Sequence, residues 1–453
     1  MGGANAHVLL VSYPAQGHVA PIMKLSQRLV HHEVKVTFVI TEATHARMKN
    51  ALPELGHEKQ HLMRLVSVPD GLESEEDRKD ERKLAESVAK VMPGHVEDLI
   101  KKANQLGGDD DDQITCVIAD AILMWALGIA EKMGLKRAMF WTTGPGVLAS
   151  SLYIQKFIEE GVVDTNGTPR KNEKVQLSPN LPALSTADFF WNCPQNLDDQ
   201  KIMFNYAIAI QQKIKVSNWL LCNWFHELDP SAPDFIPNML PIGPLLANDR
   251  PVGNLYREDL TCLSWLNKQP AGSVIYVAFG STSLVSISQH QFDELALGLE
   301  LIGRPFLWVN KSDLITKGIN SKFPDGLGKI VQWAPQEKVL AHPSVACFLT
   351  HCGWNSTMEG LSSGVPFLCW PHFGDQLYVQ SCICDVWKVG LPLKPDDNGI
   401  IARDEFKSKI DELLSDDGIR ANSLKLKNMA IESVRKGGSS SKNLEDFIEQ
   451  IKH

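Results

Sequence analysis

Short apolar runs alternate with stretches of helical periodicity along the whole chain, which predicts strands and helices that alternate in a parallel sheet. The run Val8–Tyr13 reads as a buried strand. A tight turn at Pro14–Gly17 follows it, and Val19–Val30 has the spacing of an amphipathic helix. Further apolar runs predict the remaining strands of a first sheet, closed by the last of them: Val34–Ile40, Ile114–Ala119, Lys136–Trp141 and Trp219–Asn223.

The same alternation is repeated in the second half of the chain. The strands predicted there are Val274–Phe279, Pro305–Val309, Ile330–Gln332, Ala346–Thr350 and Val365–Trp370. The predicted helices are Ser288–Leu301, Trp354–Leu361, Gln376–Trp387, Arg403–Leu414, Arg420–Lys436 and Lys442–Ile451. In the first half, Leu84–Asn104 is also helical in pattern, and Pro93-Gly94 is expected to interrupt it. The sequence therefore predicts an α/β fold with two Rossmann-like halves.

The length of 453 residues exceeds one ordinary core and suits two domains of about 200 residues each. The stretch from Pro241 to Gly253 is the most linker-like in the chain, because it combines three prolines with two glycines. We therefore expect an N-terminal domain over residues 1–240, a linker over 241–262 and a C-terminal domain over 263–436. The Gly437–Ser441 break then sets off a last helical segment, residues 437–453.

Charge and cysteine usage exclude several classes of protein. Lys and Arg total 45 against 54 Asp and Glu, a net charge of −9 without any basic run, so a nucleic-acid partner is not expected. The nine cysteines are odd in number and scattered, which favours a reducing, cytoplasmic location. The first apolar run is too short for a signal peptide, and no later run approaches 18 residues, so we expect neither secretion nor a membrane span.

Polar residues follow several predicted strands of the first half, where an open α/β sheet binds ligands. His18 lies just past the first strand, Asp120 ends the strand Ile114–Ala119, and Thr142 ends the strand Lys136–Trp141. An Asp that accepts the Nδ1 proton of a His fixes its tautomer and supports the imidazolium formed when Nε2 takes a proton. Two structural interpretations remain open, since His18 could be a packing residue and Asp120 a helix cap.

In the second half, the clusters His351–Ser356 and His372–Gln376 follow two neighbouring apolar runs. The first turn of the helix predicted from Trp354 offers free N–H groups beside Asn355 and Ser356, a place for phosphate. Glu359 lies one turn further on, and a carboxylate can accept hydrogen bonds from two sugar hydroxyls.

Two other groups extend this predicted nucleotide site. Trp333 and Gln336 supply a flat ring and an amide, which together suit a nucleobase. Gly280-Ser281 ends the strand Val274–Phe279 and forms another small polar turn of the kind found near phosphate.

Metal and redox cofactors are alternatives that the residues disfavour. The acidic run in Gly107–Asp112 lies in a Gly-rich turn, which favours a solvated loop over metal-binding carboxylates. A structural zinc on His342, Cys347, His351 and Cys352 is conceivable, but Cys347 lies inside a strand-like run. A dinucleotide-dependent oxidoreductase would need G-x-G-x-x-G, whereas PAQGHV and FGSTSL contain one glycine each. We therefore expect no metal and no cofactor.

The stretch Trp333–Gln376 closely resembles the signature box of the plant family 1 UDP-dependent glycosyltransferases. The matching residues are Trp333, Ala334, Pro335, Gln336, Leu340, His342, His351, Cys352, Gly353, Trp354, Asn355, Ser356, Glu359, Gly364, Pro366, Pro371, Asp375 and Gln376. The PAQGH motif and the strand end at Asp120 add to the likeness. The resemblance implies the GT-B fold, in which two Rossmann-like domains face each other across a cleft and the final helix returns to the first domain.

The resemblance also implies a role for each position. It places Trp333 against uracil, Ala334 and Gln336 near the uracil edge, and Glu359 on the ribose hydroxyls. It assigns the diphosphate to His351, Asn355, Ser356 and Ser281, and the transferred sugar to Asp375, Gln376, Trp354 and Thr142. UDP-glucose is the donor that Gln376 indicates.

The implied reaction is direct displacement at the anomeric carbon, with inversion, by a hydroxyl or carboxyl of a small acceptor. His18 is the expected general base and Asp120 orients it, with no metal required. Aromatic side chains suit a flat apolar acceptor such as a flavonoid, phenol or terpenoid, although core packing explains them equally well: Trp125, Phe140, Phe189, Phe190 and Trp191. Carbon glycosylation and a non-catalytic nucleotide-sugar binding protein are the alternatives, and a monomer is expected.

Overall fold

The computed structural model describes residues 6–51, 60–105, 112–177, 181–236, 238–247, 253–281, 287–311, 323–324 and 326–453. Two parallel sheets organise these residues, one in each half of the chain, and helices cover the faces of both. The expected α/β fold with two Rossmann-like halves is confirmed.

The first half contains a seven-stranded sheet in the order β3-β2-β1-β4-β5-β8-β9, and every described pairing in it is parallel. The strands are β1 His7–Val11, β2 Lys35–Thr41, β3 Met63–Val68, β4 Cys116–Asp120, β5 Lys136–Trp141, β8 Trp219–Cys222 and β9 Met239–Pro241, with a separate hairpin of β6 Lys174–Val175 and β7 Leu184–Ser185. The helices are α1 Gln16–His31, α2 Glu42–Ala51, α3 Glu75–Lys79, α4 Glu81–Gln105, α5 Met124–Lys132, α6 Pro145–Leu152, α7 Ile154–Glu159, α8 Leu197–Val216 and α9 Ala232–Phe235.

The second half contains a six-stranded parallel sheet in the order β12-β11-β10-β13-β14-β15. The strands are β10 Val274–Ala278, β11 Phe306–Val309, β12 Gly328–Val331, β13 Val345–Thr350, β14 Phe367–Cys369 and β15 Gly390–Pro392. The helices are α10 Thr261–Leu266, α11 Gln289–Ile302, α12 Gln336–Leu340, α13 Trp354–Ser363, α14 Gln376–Ser381, α15 Arg403–Ser415, α16 Asp417–Val434 and α17 Ser439–Lys452.

Each sheet reverses its strand order at one point, between β1 and β4 in the first half and between β10 and β13 in the second. Such switch points open a crevice at the carboxyl ends of the strands, where ligands bind. One continuous apolar core joins the halves, because Trp224 from the first half and Trp354 from the second lie in the same buried cluster. The two crevices therefore belong to one compact molecule.

The last helix, α17, packs on the first half although it follows the second in sequence. Its buried side chains recur at helical spacing and join the core around β1 and β2: Leu444, Phe447, Ile448 and Ile451. The Phe447 ring lies 5.2 Å from that of Trp219. Lys136 Nζ donates to the Gln450 carbonyl at 2.7 Å, and Lys452 Nζ to the His32 carbonyl at 3.0 Å. Burial of four apolar side chains, each contributing about 1.5–3 kcal/mol, stabilises this docking.

Several predicted boundaries were wrong. Trp219–Asn223 does not close the first sheet, because β9 adds another edge strand beyond it. Pro93 does not interrupt α4, which runs through it because the apolar stripe of Val88, Met92 and Val96 stays buried on one side. The break before α17 is also shorter than expected, since Ser439 already begins the helix.

Candidate active site

The two switch points place the polar strand ends at the junction between the halves. On the first side, β1 leads into α1 with His18, and the neighbouring β4 ends at Asp120. On the second side, β10 leads to Gly280-Ser281, and the neighbouring β13 leads to His351 and α13. Direct bonds join the sides, among them one of 2.7 Å from Asn355 Nδ2 to the Gly17 carbonyl.

His18 and Asp120 form a hydrogen-bonded pair. Nδ1 of His18 lies 2.8 Å from Oδ2 of Asp120, whose side chain is fully buried. The same carboxylate accepts the backbone N–H of Tyr13 at 3.3 Å and that of Ile122 at 3.1 Å. Asp120 therefore caps the turn after β4, as the structural interpretation predicted, and it also contacts His18, as the chemical interpretation predicted. Because an ionised carboxylate only accepts, the contact places the proton on Nδ1 and leaves Nε2 as the free base.

The surroundings of His18 favour its protonated form. Burial lowers the pKa of His18, but the charge and hydrogen bond of Asp120 raise it by more, and Asp375 adds to the rise. The net pKa is above the usual value of 6.5. The ring keeps 21% of its surface exposed and meets the Tyr13 ring edge-on at 5.3 Å. His18 is thus a base with a stabilised conjugate acid that is still open to a ligand.

The start of α13 has the features of an anion site. Gly353 occupies the N-cap position without a side-chain cap, so the first N–H groups of this ten-residue helix have no side-chain acceptor from that position. Asn355 and Ser356 belong to the first turn, and Ser356 Oγ accepts from Gln336 Nε2 at 2.9 Å. These groups can hold phosphate oxygens through N–H and O–H donors.

His351 lies beside this helix start, between two glycines. A Cβ at Gly280, where φ is +78°, would come within 2.6 Å of Nε2 of His351, and a Cβ at Gly353 within 2.4 Å. Only glycine admits the ring at this depth. Burial and the neighbouring His372 lower the pKa of His351 to about 3. His351 is therefore neutral and able to donate one N–H.

The groups predicted to hold the nucleoside are linked to one another. Gln336 Nε2 donates to Glu359 Oε2 at 2.8 Å, and its Oε1 accepts the Tyr276 hydroxyl at 3.2 Å. The Trp333 ring lies 4.9 Å from that of Tyr256, and the buried Ala334 follows it. These bonds fix the Gln336 amide and the Glu359 carboxylate in place.

Sequence analysis missed Lys24, which contacts this cluster from the first half. Its Nζ lies 2.7 Å from Glu359 Oε1 and 2.6 Å from Glu337 Oε1, and only 3% of its side chain is exposed. The sequence did carry a signal: Lys24 lies among the buried residues of α1, and a buried lysine needs an anionic partner.

Of the residues predicted to contact the sugar, Asp375 and Gln376 form hydrogen bonds within the protein. Thr143 Oγ1 donates to Asp375 Oδ2, while Thr142 lies beside it, half-buried. Burial raises the pKa of Asp375, and the Thr143 bond partly offsets this. Gln376 Oε1 accepts the backbone N–H of His372 at 2.9 Å. Ser281 accepts Lys311 Nζ through its carbonyl.

Trp354 is enclosed by the first half. Its Nε1 donates to the Asn223 carbonyl at 2.8 Å, and its ring lies 2.9 Å from where a Cβ at Gly144 would be. The side chain therefore also fastens the two halves together.

The aromatic residues proposed for the acceptor fall into two groups. Phe140, Phe189 and Trp191 are core residues, and Trp191 stacks on Phe189 at 4.6 Å. Trp125 and Phe190 are half-buried. Core packing thus accounts for the first three.

The two metal alternatives concern residues that the structure describes to different extents. Among the residues that the structure describes, no group of three His, Cys, Asp or Glu is placed to hold a metal ion. His342 contacts the Ser344 hydroxyl at 2.7 Å and the Asn267 amide oxygen at 3.0 Å. Most of the acidic run in Gly107–Asp112 lies outside the described residues. Within the described part of the chain, no helix has both the length and the apolar character to cross a membrane.

The fold and the junction between its halves define the class of protein. Two Rossmann-like sheets present their switch points to one another, with the His18–Asp120 pair on one side and the start of α13 on the other. A nucleotide-sugar glycosyltransferase with the GT-B fold needs this arrangement, because the donor and the acceptor must meet between the two sheets.

Comparisons with known proteins identify the family. The family model described as UDP-glucoronosyl and UDP-glucosyl transferase matches residues 200–431. UDP-glycosyltransferase 83A1 of Arabidopsis thaliana is 42% identical over 458 residues, covering 98% of this chain and 97% of the relative. Gallate 1-beta-glucosyltransferase 84A24 of Punica granatum is 33% identical over 475 residues, covering 98% and 89%. Os79 from O. sativa, solved in complex with UDP, has a TM-score of 0.81 at 26% identity, covering 98% of this chain and 100% of Os79.

The chain belongs to the plant family 1 UDP-dependent glycosyltransferases. It is a hexosyltransferase of the GT-B fold that uses a UDP-sugar and a small-molecule acceptor. The family and fold expected from the signature box are confirmed. The residue roles stay predictions.

Proposed function

We propose that this UDP-glycosyltransferase moves glucose from UDP-glucose, with inversion, to a hydroxyl or carboxyl of a small apolar plant metabolite. His18 takes the acceptor proton through Nε2, and Asp120 holds the ring and stabilises the imidazolium. The observation that carries this proposal is the 2.8 Å contact between His18 Nδ1 and the fully buried Asp120. A positioned base near its working pH typically accelerates such a step by about 10²–10⁴-fold.

On the donor side, we assign Trp333 to the uracil face, with Ala334 and Gln336 at its edge, and Glu359 to the ribose. The start of α13 supports a diphosphate site of Asn355 and Ser356, joined by His351 and Ser281. As UDP leaves, these donors stabilise its growing negative charge. Asp375, Gln376, Trp354 and Thr142 complete the proposal on the sugar side.

The acceptor class is supported by the relatives and by the half-buried aromatics. A relative that covers almost the whole chain is named a gallate 1-beta-glucosyltransferase, which favours glucose as the sugar and an aromatic acid or phenol as the acceptor. Trp125 and Phe190 supply apolar surface that would suit a flat acceptor. The nine free cysteines support a further proposal, that the enzyme works in the cytoplasm.

The test is a UDP-release assay with UDP-glucose, a panel of phenols, aromatic acids, flavonoids and terpenoid alcohols, and EDTA throughout. Mass spectrometry identifies the products. We expect acceptor-dependent release with one hexose added and no loss with EDTA. An acid-stable product would identify carbon glycosylation. Silence in protein that binds UDP-glucose would point first to an acceptor or donor outside the panel and second to a non-catalytic binding protein.

His18→Ala tests the base. We expect at least a 10²-fold loss of transfer with UDP-glucose affinity within about twofold of the native value. The exposed His290→Ala is the matched control, and it should leave transfer at the native rate. Transfer at the native rate by His18→Ala would show that another group is the base.

A further inference from the structure

Lys24 is a buried cation between two carboxylates of the opposite half. It lies on α1, six positions after His18, which is about 9 Å of helix rise. Its partners Glu337 and Glu359 lie on α12 and α13. Gln336, the neighbour of Glu337, donates to both Ser356 and Glu359. The helix that carries the base is therefore bonded directly to the helix that carries the donor groups.

A second contact joins the same two helices. Asn355 Nδ2 donates to the Gly17 carbonyl at 2.7 Å, at the start of α1, while Lys24 reaches Glu359 one turn further along α13. Two bonds separated along both helices fix rotation as well as distance. The place of His18 relative to the donor site thus depends on both bonds.

The charge of Lys24 is needed where it lies. Glu337 and Glu359 both contact its Nζ, so their carboxylates face each other across a single ammonium. Burial lowers the pKa of Lys24, but the two carboxylates raise it by more, so the lysine is charged. Burial raises the pKa of Glu337 despite that cation, and Glu359 raises it further. Without Lys24, Glu337 would face Glu359 with no cation between them, which raises the pKa of Glu337 further. Glu258 is a third carboxyl that interacts with both, and Lys338 is the cation that acts on Glu258.

The geometry of Glu359 shows how the lysine and a ribose can be served together. Its Oε1 accepts from Lys24 at 2.7 Å, and its Oε2 accepts from Gln336 at 2.8 Å. A carboxylate has about four acceptor sites, so each oxygen keeps one for a sugar hydroxyl. The two protein donors orient the carboxylate and leave its other lone pairs free.

We infer that Lys24 is a positioning residue of the donor site: it holds the Glu359 carboxylate for the ribose and fixes the helix of His18 against the donor half. This inference rests on the proposed function, because it takes Glu359 as the ribose-binding group.

The experiment measures the affinity for UDP-glucose, without acceptor, by calorimetry between pH 5.5 and 8.5. Lys24→Met removes the charge at similar length. We expect affinity to fall about 10–100-fold at pH 6 and to recover as the pH rises, because the proton that Glu337 holds against Glu359 is then lost. The native enzyme should show no such dependence. Lys136→Met is the matched control, because it removes a lysine whose Nζ donates to the Gln450 carbonyl, outside the donor site.

The double variant Lys24→Met with Glu337→Gln provides the decisive comparison. It removes one positive and one negative charge together, so position 337 no longer holds a proton against Glu359. Affinity within about fivefold of native, without pH dependence, is expected. If the double variant stays as weak and as pH-dependent as Lys24→Met, the inference is wrong. Lys24→Gln gives the same test should the Met variant fail to fold.

Glu359→Gln separates this inference from the proposed function. If Glu359→Gln binds UDP-glucose like the native enzyme, the assignment of Glu359 to the ribose is wrong, and with it the inference. If Glu359→Gln binds at least tenfold more weakly while Lys24→Met keeps native affinity at every pH, only the role of Lys24 is overturned. A lower melting temperature alone, with native affinity, would make Lys24 a purely structural bridge and also overturns it.

Discussion

Each half of the molecule places a histidine beside its switch point, and the two histidines have opposite character. His18 follows the strand on one side of the first switch point, and His351 follows a strand at the second. The buried Asp120 carboxylate faces His18, and the pKa of His18 is raised. Burial and the neighbouring His372 lower the pKa of His351 to about 3. Burial lowers the pKa of both histidines, and only His18 has a carboxylate beside it that outweighs this effect.

This difference suits opposite tasks. A base must accept a proton and hold it, which the Asp120 carboxylate stabilises. In the proposed function, His351 binds the diphosphate while it is neutral. It donates one N–H without adding a positive charge, so UDP can be released again. The contrast between the two histidines leads to four tests, given in order of the effect expected.

Asp120→Asn should have the largest effect. It removes the charge that stabilises the imidazolium of His18 but keeps the size of the side chain. We expect kcat to fall about 10²–10⁴-fold while UDP-glucose affinity stays within about twofold of native. Single-turnover rates and calorimetry measure the two quantities. A fall of less than fivefold would show that Asp120 serves mainly as the cap of the turn after β4.

His351→Ala should weaken UDP-glucose binding about 10–100-fold, since it removes one hydrogen bond to a charged group, worth about 1.5–3 kcal/mol. Native affinity should also be flat between pH 6 and 8, because His351 is neutral throughout this range. Calorimetry checks both statements. A native affinity that rises tenfold as the pH falls from 8 to 6 would mean that His351 binds the diphosphate as a cation.

The pH profile should show the raised pKa of His18. At saturating UDP-glucose, kcat/KM for the acceptor should fall tenfold per pH unit below a midpoint above 6.5, because protonated His18 cannot act as base. The acceptor should have no ionisable group in this range, as in an aliphatic alcohol, so that the profile reports the titration of the enzyme alone. In Asp120→Asn the midpoint should move to lower pH. An identical midpoint in both proteins would assign the titration to another group.

His372 should produce the smallest effect, on stability. Burial lowers its pKa to about 4, so the folded state keeps it neutral. Its contribution is complete above pH 6.5 and is lost as the pH falls towards 4. At pH 5 this costs about 2 kcal/mol. His372→Phe should therefore reduce the loss of melting temperature between pH 7.5 and 5 by roughly 2 °C, measured by calorimetry. The exposed His290→Phe serves as the control, and an equal reduction there would contradict the assignment.

The sequence was most informative where one strand carried its own signal. A buried parallel strand is an apolar run that stops at its polar end, so β1, β4 and β13 and the residues after them could be predicted. Edge strands carry a weaker signal. β3 mixes polar and apolar residues, while β9 and β15 have three residues each, and all three were missed.

Contacts between distant segments could not be predicted in this way. Lys24 meets Glu359 across 335 positions of sequence, and nothing near Lys24 indicates its partner. Asn355 contacts Gly17 through a backbone carbonyl, which every residue type offers. Thr143 rather than Thr142 donates to Asp375, because the turn after β5 decides which of two adjacent threonines faces the other half. Such contacts depend on how the halves dock.

The return of α17 to the first half has a mechanical consequence. The chain crosses between the halves after Pro241 and again between α16 and α17, and the crossings lie side by side, since Ser433 Oγ donates to the Gly243 carbonyl and Asn443 Nδ2 to the Pro241 carbonyl. Because the two crossings are bonded to each other, any movement of one half against the other must deform both of them together. Since α17 packs on the sheet that carries His18, a fluorophore attached at His453 would stay with the first half, and its distance to a dye on α11 would measure any change in how the halves are arranged.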